Sequence, residues 1–152
     1  LLKAENRIVA KANKAADEAN RKVGMVVPVL KTQNTYNNNW HFISSPAAGV
    51  VPSSQEKSAF GAMERTSEQM TALAADIQKE FGKIWGEYKD LERVAEKEKD
   101  MDKANTQVKA MKSTVRTIHT YERRIENLES RFDRSFSKLK SLLASRTPPV
   151  RI

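Results

Sequence analysis

The most regular feature of the sequence is a pattern of apolar residues, spaced by threes and fours, that runs from about residue 58 to residue 146. Such spacing keeps one narrow face of a helix turned toward a partner helix. The pattern therefore predicts an all-α fold with two heptad seams on long helices. We expect these seams to form an oligomer interface through Ile77, Phe81, Ile84, Tyr88, Leu91, Val115, Ile118, Ile125, Leu128 and Phe132.

The two seams lose their common phase at residues 97–103, where almost every side chain is charged. A single long rod and an antiparallel helical hairpin both fit this break. The absence of a Gly, Pro or Asn-Gly turn favours the rod. The arm before the break is slightly acidic and the arm after it is strongly basic, so ion pairing between them favours the hairpin. We favour the hairpin as the architecture of this elongated coiled coil.

The first residues predict a separate short helix. Residues 1–23 contain neither Gly nor Pro and are rich in Ala, which has the highest helix propensity. Gly24 follows in the position that often ends a helix. We therefore expect a short N-terminal helix over residues 1–24.

Residues 25–57 contain Pro28, Pro46, Pro52 and a run of polar residues, which predict an extended arm between the short helix and the long ones. Apolar residues around Pro28 are candidates for an edge strand on a partner. An aromatic segment follows at 40–43. The arm either latches a neighbouring subunit or clamps onto its own helices. The expected contact residues are Val26, Val27, Val29, Trp40 and Phe42.

Both ends of the long heptad region carry local signals. Ser53 and Glu56 have the spacing of a capping box, which satisfies backbone donors at a helix start. Pro148 ends the last helix and leaves a Pro-containing tail over residues 147–152.

The net charge is +8 and the isoelectric point is about 9.8, which favours polyanionic partners. Basic residues exceed acidic ones mainly over residues 112–152. A basic row of this kind fits a phosphate backbone, anionic headgroups or an acidic protein partner, and an ordinary solvated flank fits it equally well. The expected face comprises Arg116, Arg123, Arg124, Arg131, Arg134, Lys138 and Lys140.

The sequence offers little catalytic chemistry. It has no cysteine, and its two histidines, His41 and His119, have no partner at metal-ligand spacing, such as an H-x-x-x-H pair. No phosphate-binding glycine motif is present. We therefore expect a protein that is not an enzyme, with no catalytic residues, no cofactor and no metal. No apolar run reaches the roughly 18 residues that cross a bilayer. The chain begins at Leu1, and we expect a processed form or a fragment.

Two stretches resemble known families. Ala4–Ile8, residues 12–20 and residues 37–39 resemble the Ala/Asn-rich helical segment of internal virion (ejection) proteins of T7-like phages. This resemblance covers residues 1–39 and implies a helical subunit that is packaged in the capsid and associated with DNA delivery. Residues 81–109 are similar in texture to the middle helix of BAR-domain proteins, which implies a curved membrane-binding dimer.

Together these features predict a non-enzymatic α-helical structural subunit of a larger complex, with a phage virion as the expected setting and the cytoplasm otherwise. Its expected partners are copies of itself, other structural subunits, and nucleic acid or another acidic surface; a membrane is less favoured. The alternatives are a BAR-like membrane-binding dimer and a nonspecific nucleic-acid-binding structural protein.

Overall fold

The computed structural model describes residues 2–44 and 51–152 and confirms an all-α fold. Three α-helices make up most of it: α1 (Leu2–Ile43), α2 (Ser54–Glu92) and α3 (Met101–Ala144). A π-helical turn at Arg93–Lys97 follows α2 directly. No strand is assigned within the described ranges.

The chain divides into two compact units, and each helix contributes one segment to each unit. The first unit comprises Leu1–Gly24 and Leu73–Arg124, and the second comprises Met25–Ala72 and Ile125–Ile152. Within each unit, segments of α1, α2 and α3 enclose an apolar core. The predicted break between the long helices lies at residues 97–103. The chain reverses there, because Thr114 of α3 donates a hydrogen bond to Glu87 of α2 and both helices contribute to one core cluster. These contacts confirm the predicted hairpin of α2 and α3 in the first unit.

The core of the first unit combines small residues from α1 with larger ones from α2 and α3. Ala12 and Ala15 of α1 pack in one cluster with Ile84 and Leu91 of α2. The small alanine side chains let the neighbouring helices approach α1 closely, while the larger residues supply most of the buried apolar area. The remaining buried members of the cluster are Ile8, Val94, Ala104, Val108, Met111 and Val115.

The core of the second unit is richer in aromatic residues. Tyr36 of α1 meets Phe136 of α3 edge to face, with 5.4 Å between ring centroids. Trp40 stacks on Phe60 of α2 with 4.1 Å between centroids. Both contacts are within the favourable range for aromatic pairs or close to it, and they fix the C-terminal half of α1 against both other helices.

The predicted end of the first helix at Gly24 is wrong, because α1 continues through Gly24 and Pro28 to Ile43. A helical Gly costs about 1 kcal/mol and a helical Pro about 3 kcal/mol relative to Ala. Burial of Val26, Val29 and other apolar residues on the continuing helix returns about 1.5–3 kcal/mol for each large side chain. Packing therefore outweighs the local helix breakers.

The extended arm predicted at 25–57 is wrong over residues 25–43 and 54–57, which are helical. Among the other described residues, 44 is a turn and 51–53 are not helical. The proposed edge strand around Pro28 is a turn of α1. Of the predicted arm contacts, Val26 and Val29 are buried and Trp40 packs on Phe60, whereas Val27 and Phe42 are exposed. Three of the five thus contact the chain's own helices. Pro46 lies outside the described residues.

The heptad seams are buried by the chain itself, which corrects the expectation that another chain must cover them. Phe81 and Tyr88 are half-buried, and the other eight seam residues are buried. The reason is that α1 has a face of the same period, so it packs on α2 and α3 as their partner. The buried positions on this face are Ile8, Ala12, Ala15, Ala19, Val26, Val29, Gln33, Tyr36 and Ile43.

The reversal between α2 and α3 uses no glycine. The backbone N–H of Asp100 donates to the carbonyl oxygen of Val94 at 3.0 Å, and Lys99 adopts a left-handed conformation with φ of 53°. Asp100 then caps α3, because its Oδ1 accepts hydrogen bonds from the N–H groups of Asp102 and Lys103, each at 3.1 Å. A charged residue thus takes the place that glycine usually fills after a helix.

The predicted capping box at the start of α2 is confirmed. The N–H of Glu56 donates to Ser53 Oγ at 3.1 Å, and the N–H of Ser53 donates to Glu56 Oε1 at 2.9 Å. The long region ends close to its predicted boundary, since α3 stops at Ala144 rather than at residue 146. Beyond it, the N–H of Val150 donates to the carbonyl oxygen of Leu143 at 2.9 Å, so the tail folds back onto the helix end.

Candidate functional site

The predicted basic face of α3 is exposed along its whole length. Burial of the apolar seam inside each unit turns the opposite side of α3 outward. At 3.6 residues per turn, the three predicted basic residues of the first unit fall within an arc of roughly 100°. Those of the second unit, except Lys140, fall within an arc of roughly 60°. The seven exposed residues are Arg116, Arg123, Arg124, Arg131, Arg134, Lys138 and Lys140.

In the second unit, two of these arginines border a groove between α2 and α3. Arg131 and Arg134 of α3 face Arg65 of α2 across a volume of about 390 Å³. The other lining residues are Ala62, Thr66, Gln69 and Ser135. We call this the α2–α3 groove. Arginine is suited to phosphate and carboxylate groups because its planar guanidinium donates two parallel hydrogen bonds to one anion.

In the first unit, a groove of about 510 Å³ lies between α1 and α3. Lys11 and Lys14 of α1 and Lys112 and Arg116 of α3 line it, above a floor that includes Ile8, Ala15 and Val115. We call this the α1–α3 groove. Glu18 and His119 also belong to its lining, so it combines four cationic side chains with one carboxylate. Sequence reasoning placed Arg116 on a basic face but did not predict that lysines from α1 join it.

One end of the α1–α3 groove holds a cluster of three potential ligands. Glu18 of α1 and His119 and Glu122 of α3 each offer one nitrogen or oxygen atom, and these atoms lie within 4.8 Å of one another. His119 Nδ1 is 3.4 Å from Glu122 Oε1. The side chain of Glu122 is 9% exposed, and its Oε1 makes no hydrogen bond in the described part of the chain.

The electrostatics of Glu122 reflect its burial. Burial raises the pKa of the Glu122 carboxyl above its ordinary value, and the nearby Glu18 carboxylate raises it further. His119 and Lys22 act in the opposite direction without cancelling the effect. Burial and the like charge of Glu18 thus both disfavour the ionised form of Glu122.

The sequence contained one signal for this cluster that pattern reasoning missed. His119 and Glu122 are three residues apart, and residues at this spacing lie on the same face of a helix. A carboxylate three residues from a histidine can supply the second ligand of a metal site, so the expectation that His119 has no ligand-spaced partner overlooked Glu122. The contribution of Glu18 was not predictable, because it depends on how α1 packs against α3.

Comparison with family models, curated proteins and solved structures finds no match for this chain. Among the residues that the structure describes, no helix is both long enough and apolar enough to cross a membrane.

Proposed function

We propose that this chain is a non-enzymatic α-helical structural subunit that contacts a polyanion inside a larger assembly, with nucleic acid in a virion as the setting. The observation that carries the proposal is the α2–α3 groove, where Arg65, Arg131 and Arg134 from two helices border one concave surface. Three like charges that converge in this way repel one another. A bound phosphate backbone relieves that repulsion and uses the geometry of the guanidinium groups.

The remaining charge distribution supports the same proposal. The basic side chains on α3 point away from the buried seam, and Lys11, Lys14 and Lys112 join Arg116 along the α1–α3 groove in the first unit. A chain with net charge +8 attracts nucleic acid of any sequence. None of the Phe and Tyr residues of α3 is fully exposed for stacking on bases, so we expect contacts to the phosphate backbone and little sequence preference.

The assembly part of the proposal is supported by apolar side chains that the fold leaves outside. Phe42 and Val27 of α1, both predicted arm contacts, are 68% and 52% exposed. Trp85 of α2 is 56% exposed. Because the heptad seams are buried within the chain, we expect contacts between subunits to involve exposed apolar residues of this kind.

Binding of a fluorescent DNA duplex of arbitrary sequence, measured by anisotropy from about 50 to 300 mM salt, tests the polyanion contact. The variant Arg65→Gln/Arg131→Gln/Arg134→Gln is expected to bind about tenfold more weakly at intermediate salt. Its plot of log affinity against log salt should lose a slope of about 3, near one unit for each phosphate contact removed.

The matched control is Lys57→Gln/Lys79→Gln/Lys83→Gln, which removes the same charge from exposed positions on α2. We expect it to lose clearly less affinity and slope than the groove variant. If both variants lost the same affinity and slope, net charge alone would explain DNA binding, and this would contradict a contact through the groove. Absence of binding by the wild type at low salt would contradict the polyanion proposal altogether.

Co-sedimentation with anionic vesicles separates nucleic acid from a membrane as the polyanion. We expect little pelleting of the wild-type chain at moderate salt. Pelleting that is lost in Arg123→Glu/Arg124→Glu would instead favour the membrane-binding dimer. Light scattering then gives the copy number, and a strictly single-copy particle at all concentrations would contradict self-assembly.

A further inference from the structure

We propose that Glu18, His119 and Glu122 form a binding site for a divalent metal ion of borderline softness, with Zn²⁺ as the best match, and that the ion links α1 to α3 in the first unit. This site goes beyond the proposed polyanion contact and does not depend on it. The three ligands come from two helices, since Glu18 lies on α1 and the other two residues lie on α3.

The spacing of the ligand atoms fits a metal after small side-chain movements. Three atoms within 4.8 Å of one another have a common centre no farther than about 2.8 Å from each. Zinc binds nitrogen and carboxylate oxygen at about 2.1 Å. Each side chain therefore needs to move by about 0.7 Å, which a rotation about its side-chain bonds provides.

A second observation, independent of the spacing, points to a missing ligand. Glu122 Oε1 is buried and accepts no hydrogen bond within the described residues, although His119 Nδ1 lies 3.4 Å away. A buried carboxylate oxygen without a hydrogen-bond donor is costly, because burial removes the water that would solvate it. A cation bound between Glu122, His119 and Glu18 supplies the missing partner.

The donor set selects the type of metal. One imidazole nitrogen with two carboxylate oxygens suits Zn²⁺ and related transition metals. Mg²⁺ and Ca²⁺ prefer sites built from oxygen alone. Three protein ligands also leave a fourth position of a tetrahedral zinc open, and the position borders the α1–α3 groove because Glu18 and His119 line it.

The ammonium group of Lys22 competes with a metal ion for this site. This ammonium group acts on Glu122 and lowers the pKa of that carboxyl, so it lies close enough to disfavour a second cation. Binding of the metal must therefore overcome electrostatic repulsion from this ammonium group. This competition predicts that removal of the charge at residue 22 strengthens metal binding.

A metal ion that links α1 to α3 would stabilise the packing of α1 in the first unit. The N-terminal half of α1 presents Ala12, Ala15 and Ala19 to the core, and alanine buries little apolar area compared with Leu or Ile. Metal binding to the folded state adds stability in proportion to the logarithm of ligand concentration over dissociation constant. The ion would therefore hold α1 in place where apolar packing is weakest.

Titration calorimetry of the full chain with Zn²⁺, after removal of metals by a chelator, tests the site. We expect one ion per chain in the wild type. The variants His119→Ala, Glu122→Gln and Glu18→Gln should each bind about 100-fold more weakly or not at all, since loss of a direct ligand costs at least as much as loss of its supporting contact. Lys22→Met should bind more tightly than the wild type.

Two controls separate the site from general effects. His41→Ala removes the other histidine, which lies in the second unit, and Glu68→Gln removes an exposed carboxylate; both should bind Zn²⁺ like the wild type. Circular dichroism verifies that each variant is folded, and half-exposed Glu18 is the substitution that disturbs the core least. Wild-type affinity in Glu18→Gln or His119→Ala overturns the proposal. Absence of binding by the wild type at micromolar Zn²⁺ overturns it as well.

Discussion

Arg146 Nη2 lies 2.6 Å from Glu56 Oε2, and this ion pair joins the second residue beyond α3 to the first turn of α2. The same guanidinium donates from Nη1 to the carbonyl oxygen of Ile43 at 2.8 Å. That carbonyl belongs to the last residue of α1, where no further turn of helix supplies a donor. One side chain in the second unit therefore connects the ends of all three helices.

Replacement of Arg146 by Ala should destabilise the chain strongly. The side chains of Glu56 and Arg146 are only 6% and 16% exposed, so the variant leaves a buried carboxylate without its cation. Removal of one partner from such a pair costs about 3 kcal/mol or more in the free energy of unfolding. Urea denaturation measures the loss. The control Arg134→Ala removes an exposed arginine of the same unit and should change stability by no more than about 0.5 kcal/mol; equal losses would contradict this account.

The pH dependence of stability should report Glu56. Burial acts to raise the pKa of the Glu56 carboxyl, but hydrogen bonds with Ser53 and Arg146 and the charge of Arg146 outweigh it, so the pKa lies below its ordinary value of 4.5. The unfolded chain thus takes up this proton at a higher pH than the folded chain. The carboxylate's stabilising contribution is complete above the unfolded-state pKa and is lost as the pH falls through the folded-state pKa.

The measurement for this prediction is the difference in unfolding free energy between the wild type and Glu56→Gln across acidic to neutral pH. We expect a constant difference near neutrality that shrinks at acidic pH, because the wild type loses its carboxylate there and the variant has none to lose. A difference that stays constant down to strongly acidic pH would mean that Glu56 does not titrate as its contacts require.

Two substitutions in α1 should stabilise the chain. Gly24 has a negative φ and no atom within 4 Å of the place where a side-chain Cβ would lie, so Gly24→Ala should add about 1 kcal/mol to the free energy of unfolding. Pro28→Ala restores a backbone donor inside α1 and should add about 2–3 kcal/mol. Thermal denaturation measures both. The reverse change at an exposed helical position, Ala75→Gly, should cost about 1 kcal/mol.

The turn after α2 offers a further test. Lys99 holds φ of 53° and its side chain is exposed, so Lys99→Gly removes a conformational penalty and loses no packing. We expect a gain of about 1 kcal/mol in the free energy of unfolding. Lys97→Gly, in the right-handed part of the same turn, should instead lose stability. If both variants lose stability, the left-handed conformation is not a source of strain.

The long helices and the capping box were predictable because each depends on nearby residues, whereas the reversal was favoured by the opposite charge of the two arms. The apolar spacing in α2 and α3 is uninterrupted by proline, and the phase slip at 97–103 marked the reversal. The turn itself was harder to recognise, since Lys99 takes a conformation that sequence rules assign to Gly or Asn.

The course of α1 could not be read from local signals, although its heptad spacing continues through both helix breakers. Val26, Val29, Tyr36 and Ile43 extend the pattern set by Ile8 and its successors. Gly24 and Pro28 argue locally for a helix end, and only the burial gained against α2 and α3 decides otherwise. The cluster around His119 was equally unpredictable from the sequence, because packing brings Glu18 to it from about a hundred residues away along the chain.

The π-helical turn at Arg93–Lys97 accommodates one residue more than an α-helical turn of the same rise. Removal of Glu96 would therefore let the end of α2 revert to regular geometry while Val94 stays on its inner face. The same deletion in the middle of α2 would rotate every later side chain by about 100° and carry the seam out of the core. Changes in chain length between α2 and α3 should thus be tolerated at this turn and selected against within the helices that flank it.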